Sequence, residues 1–175
     1  MRYTLIYGGI AGVIAVTMIS AIIGMHLTDH DATAMWVTYL IMLMALSLIF
    51  VGVKRYRDVD CGGVIRFGGA FRLGLGMAAI AGLIYATGWE IFQAVSGYDF
   101  VSEYSASILD RMRAEGASAA AIEAQAAELR GFAESYRSPL FRVPMVFLEI
   151  FPVGLLVALV SAGLLRNPKM LPAPR

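Results

Sequence analysis

The chain has 175 residues, of which 59% are hydrophobic and only 15% charged, with a mean hydropathy of +0.71. A soluble domain is about half apolar and a quarter charged, so this shortfall in charge points to lipid as the solvent. A net charge of +1 excludes the concentrated basic face of a nucleic-acid binder, and a single cysteine, Cys61, excludes an internal disulfide.

A helix needs about 20 apolar residues to cross a hydrocarbon core. Four stretches meet that length: Tyr3–Met25, Met35–Val53, Leu73–Val95 and Val143–Leu165. The first is too long for the apolar part of a signal peptide, and no clear small-x-small cleavage site follows it. Residues 1–175 thus read as a single all-α integral membrane domain with four transmembrane helices. Lys54, Arg55, Arg57, Arg66 and Arg72 crowd the link between spans two and three. Arg166, Lys169 and Arg175 follow the fourth span, and Arg2 precedes the first. Basic flanks stay inside, so both termini and the basic link are expected to face the cytoplasm, with the protein multi-pass in its membrane.

In the short link after span one, His26, Asp29 and His30 stand at i, i+3 and i+4. That spacing can offer metal ligands from one helical face, although a polar turn between spans needs such residues anyway. In the basic link, the glycine pairs of "CGGVIRFGGAF" lie near Arg66 and Arg72. They form no Walker or dinucleotide pattern and read as a basic turn that touches anionic headgroups.

Span three carries Gly74, Ala78, Gly82 and Ala86 at steps of four, and the next step reaches Glu90. Span one carries Gly8 and Gly12, and span four carries Gly154 and Ala158. Small residues let helices approach closely in lipid, either within one four-helix bundle or across a homodimer seam. Gly82, Ala86 and Glu90 share a face, which turns Glu90 toward a neighbouring helix.

Residues 98–137 are too polar to span and are expected to form an extracytoplasmic helical hairpin between spans three and four. Phe100, Tyr104, Ile108 and Met112 make one apolar stripe. Ile122, Leu129, Phe132, Ala133 and Tyr136 make another. Gly116 suits a helix stop and Ser118 an N-cap between the two.

Glu149 lies inside the fourth apolar run, three residues before Pro152. Glu90 is expected at a similar depth in the outer half of the bilayer. A charged acid there costs on the order of 3 kcal/mol, so both acids should be protonated, paired or wet. Pro152 frees the Leu148 carbonyl beside Glu149, and Arg142 lies two turns away on the same face, within reach through a water. Tyr85 and Trp89, with Trp36 and Tyr39, suit an interfacial belt or the bundle interior. These residues make a candidate polar core or ion site.

Two stretches carry a resemblance to a known family. One is "YLIMLMALSLIFVGVKRYRD" continuing through "GGVIRFGGAFRLGLGMAAIAGLIYATGWEI"; the other is "YRSPLFRVPMVFLEIFPVGLLVALVSAGLLR". They resemble a bacterial membrane family called domain of unknown function 4199, with Glu149–Gly154 the most specific piece. The resemblance implies four spans with both ends inside and no established activity.

The leading functional expectation is a non-enzymatic membrane module. It meets the lipid bilayer and associates with itself or with another membrane protein, and Glu90 and Glu149 form its polar core. It binds no nucleic acid, and nothing in the sequence calls for a cofactor. The alternative is a small proton- or cation-coupled transporter or channel using those acids. A third reading is an intramembrane hydrolase, which metal bound at His26, His30 and the acids would promote.

Overall fold

The computed structural model describes residues 1–24 and 32–172, and all regular structure among them is helical. The first span is α1 (Arg2–Gly24). The second is built of α2 (Ala32–Leu46) and α3 (Leu48–Asp60), and the third is α4 (Phe67–Ser96). The hairpin is α5 (Phe100–Ala114) and α6 (Ala119–Tyr136), and the last span is α7 (Pro139–Leu165). Four stretches are long and apolar enough to cross a membrane: Arg2–Ile23, Trp36–Asp60, Phe67–Ser96 and Pro139–Leu165.

The second span was expected to stop at Val53 but continues to Asp60. Lys54 pairs with Asp58 at 2.6 Å one turn on, which supports helix beyond the apolar run. Its two halves meet at Ser47, whose hydroxyl turns back to donate to the Met44 carbonyl at 2.6 Å. Such back-bonding competes with the backbone ladder and bends helices.

Helix α4 is the centre of the bundle, with α1 on one side and α7 on the other. Glycines make those contacts close. A Cβ on Gly8 would stand 2.6 Å from the Met77 carbonyl oxygen, and one on Gly12 would stand 2.7 Å from that of Ala81. Across α4 and α7, Gly74 meets Ala158, Gly154 meets Ala78, and Gly82 meets the Phe147 ring. Every small residue singled out as a possible dimer seam on α4 and α7 is therefore consumed inside the chain. The Gly82 and Ala86 stripe, weighed between intramolecular packing and a homodimer seam, packs within the chain, with Gly82 against Phe147 of α7 and Ala86 buried.

The hairpin turn is built as its sequence dictates. Gly116 takes φ +75°, a left-handed conformation in which a Cβ is strained. The Ser118 side chain accepts from the Ala121 amide at 3.3 Å and caps α6. Asp99 caps α5 by accepting from the Ser102 amide at 3.1 Å and from its hydroxyl at 2.6 Å. Leu129 and Tyr136 of α6 are buried, whereas α5 buries no residue fully.

Candidate functional site

The polar groups gather where the hairpin joins the spans. Trp89, Glu90 and Gln93 lie on the last turns of α4, and Tyr136 closes α6. Arg142 sits one turn into α7, which begins with Pro139 at a position where its missing amide costs nothing. The Arg142 guanidinium meets Glu90 as a fork: Nε donates to Oε1 at 2.5 Å and Nη2 donates to Oε2. Nη1 donates to the Tyr136 carbonyl at 3.1 Å, and the guanidinium lies over the Tyr136 ring at 5.5 Å. This bidentate pairing is the geometry in which arginine and carboxylate bind best. One side chain thus ties α4, α6 and α7 together.

The Tyr136 hydroxyl accepts from Trp89 Nε1 at 2.8 Å and from Gln93 Nε2 at 3.5 Å. Burial pushes the Tyr136 phenol above its ordinary range, against the lowering effect of the Trp89 hydrogen bond and the Arg142 charge. Phe100 packs on Trp89 edge-on at 5.8 Å and on Tyr136 at 5.6 Å. Aromatic pairs of this kind add about 0.5–1.5 kcal/mol beyond area burial. The hairpin is therefore clamped to the bundle by aromatic contacts and by the hydrogen bonds that Trp89, Gln93 and Arg142 donate to Tyr136. Beside them opens a groove of about 470 Å³ whose polar lining includes Glu90, Gln93, Asp99, Tyr136, Arg137 and Arg142.

Two expectations change here. Arg142 was expected to approach Glu149 through a water; it is instead taken up directly by Glu90 across the helix interface. Glu149 was expected in a polar core with Glu90. It stands exposed on the outer surface of α7, and the groove that takes in Glu90 does not include it. Among the described residues Glu149 makes no hydrogen bond and no ion pair. Its neighbours along that surface, Met145, Leu148 and Leu156, are exposed and apolar, and Pro152 is exposed between them. Tyr85, one turn deeper than Trp89 on α4, is buried. Trp36 is 73% exposed and Tyr39 is exposed too, so both face outward rather than into the bundle.

His26, Asp29 and His30 lie outside the described residues. Among the described residues no three His, Cys, Asp or Glu side chains gather as they would around a metal ion.

A second polar knot, at the opposite end, escaped the sequence reading. Arg57 is wholly buried and donates to Asp58 at 2.7 Å, to the Met170 carbonyl at 2.9 Å and to the Leu171 carbonyl at 2.5 Å. It fastens the segment after α7 onto α3. The available signal was its place at i+8 from Ile49 and i+4 from Val53, the buried stripe of α3.

One family model, described as "Protein of unknown function (DUF4199)", matches residues 3–167. The chain belongs to that family. Neither the curated proteins nor the solved structures contain a match. This member of the family joins its hairpin to its spans through Glu90, Tyr136 and Arg142, and leaves Glu149 on the outer face of α7.

Proposed function

We propose that this protein is a non-catalytic assembly module of the bacterial inner membrane that associates with a second copy of itself through the α7 face carrying Glu149. In this reading the termini are cytoplasmic and the α5–α6 hairpin lies outside. The basic link and tail support that orientation.

The observation that carries the reading is Glu149 itself, an exposed carboxyl with no partner among the described residues, set within an apolar stripe of a membrane span. Facing lipid, it costs on the order of 3 kcal/mol when charged. Against another helix, its hydrogen bonds are satisfied and the same group drives association. A two-fold pair sets like faces against each other, so that one protonated Glu149 donates to the other. The Leu148 carbonyl, deprived of its usual donor by Pro152, offers a further acceptor beside it. Ion passage is the weaker reading, because Gly74, Gly154 and Gly82 close the α4–α7 seam and the outer groove stops short of Glu149.

The test uses a Cys61→Ser background with a cysteine at Leu156, on the same exposed stripe, and disulfide cross-linking in lipid vesicles. The expected result is a cross-linked dimer that survives Glu149→Gln, since an amide still donates and accepts, and is lost in Glu149→Leu. A monomer throughout, or a dimer indifferent to Glu149→Leu, would sink the proposal.

A further inference from the structure

The end of the bundle remote from the hairpin holds a second groove, of about 490 Å³, between the start of α1, the α3–α4 turn and the first turns of α4. Its charged lining is Arg66 and Arg72, and no carboxylate lines it. Both arginines are exposed, and neither side chain has a hydrogen bond or an ion pair among the described residues. By contrast, Arg57, Arg113, Arg130 and Arg142 each pair with a carboxylate. Tyr3, Thr4 and Tyr56 bring hydroxyls to the wall.

The apolar part of the lining comes from Val64, Ile65 and Leu73. Arg72 stands at the edge of the apolar run that starts at Leu73, and Arg66 lies about 9 Å further out along the helix. The groove therefore sets two unpaired guanidinium groups beside apolar side chains, of which Leu73 lies on the span side of both. A phosphate takes two guanidinium forks well, and basic recesses between spans are where anionic headgroups settle. We infer that this groove binds the phosphate of one anionic phospholipid, with Arg66 and Arg72 on the headgroup and the acyl chain running from there along Leu73. A soluble phosphate ester shares the headgroup chemistry. The apolar wall is what favours the lipid.

Native mass spectrometry of the detergent-purified protein, titrated with phosphatidylglycerol or with phosphatidylcholine of the same chains, tests this. One phosphatidylglycerol should be retained in preference to phosphatidylcholine. Arg66→Gln with Arg72→Gln should weaken retention roughly thirtyfold, about fivefold for each arginine. Val64→Asp, at a side chain 59% exposed, should weaken it too by bringing a carboxylate to the phosphate. Arg111→Gln on the hairpin should leave it unchanged. Equal retention of the two lipids overturns the inference, as does a double-arginine or Val64→Asp variant that binds as before. Protection against thermal unfolding by millimolar inorganic phosphate, without any lipid preference, would assign the groove to a soluble phosphate and overturn the lipid.

Discussion

Replacing Glu90 by leucine should destabilise the chain mainly through what it leaves behind. The Arg142 side chain is only 16% exposed and loses both bonds to the carboxylate. It retains the Tyr136 carbonyl at 3.1 Å and the face of the Tyr136 ring. Breaking a fully buried ion pair on one side costs about 3–5 kcal/mol, whereas an exposed pair is worth about 0–1. Glu90 keeps 25% of its side-chain surface, so screening brings the expected loss to about 2 kcal/mol. At about 2–4 °C per kcal/mol for a chain of this size, the unfolding midpoint should fall by roughly 4–8 °C. Arg142→Leu should do similar damage, and the double variant should lose less than the sum by about 1–2 kcal/mol. Thermal unfolding of the four proteins in one detergent measures this coupling. Additivity within about 0.5 kcal/mol would refute the ion pair as the tie between α4 and α7.

Gly82→Leu should weaken the protein by about 1–3 kcal/mol, since its Cβ would stand 2.8 Å from the Phe147 ring, and it should leave any cross-linked dimer intact. Loss of the dimer with stability unchanged would reverse that assignment of the Gly82 face. Asp99→Ala should release the start of α5 at a cost of about 1 kcal/mol, seen as faster hydrogen exchange at the Ser102 amide. Hydrogen bonds from the Ser102 hydroxyl and amide hold the Asp99 carboxyl below its ordinary range. A depressed folded value means the stabilisation is complete above the unfolded pKa of about 3.9 and fades as pH falls through the folded value. The gap between wild type and Asp99→Ala should therefore narrow as the pH falls below about 3.9, and a gap as wide in acid as at neutral pH would refute the cap.

Much of this molecule was legible one residue at a time. Apolar length over α1, α4 and α7 dictates spans because lipid leaves every backbone group to be satisfied within the helix. Gly116, Ser118 and the apolar steps of α5 and α6 dictate a helical hairpin through local backbone and capping chemistry alone. Periodicity also turned Glu90 toward a neighbouring helix. It could not name the partner, because the ion pair to Arg142 depends on where α7 crosses α4, and that is decided by the fit of Gly74, Gly82 and Gly154 against the opposing helix. The same fit turned Glu149 outward, since the face of α7 that packs carries Gly154 and Ala158 and the glutamate lies well round from it. Small residues announce close packing but not with whom, and a charged group's helix face says nothing of its depth in a bundle until the bundle exists. Arg57 makes the point from the other side: in sequence it is one more basic residue beside a membrane, and only the returning chain after α7 supplies the carbonyls that make its burial possible.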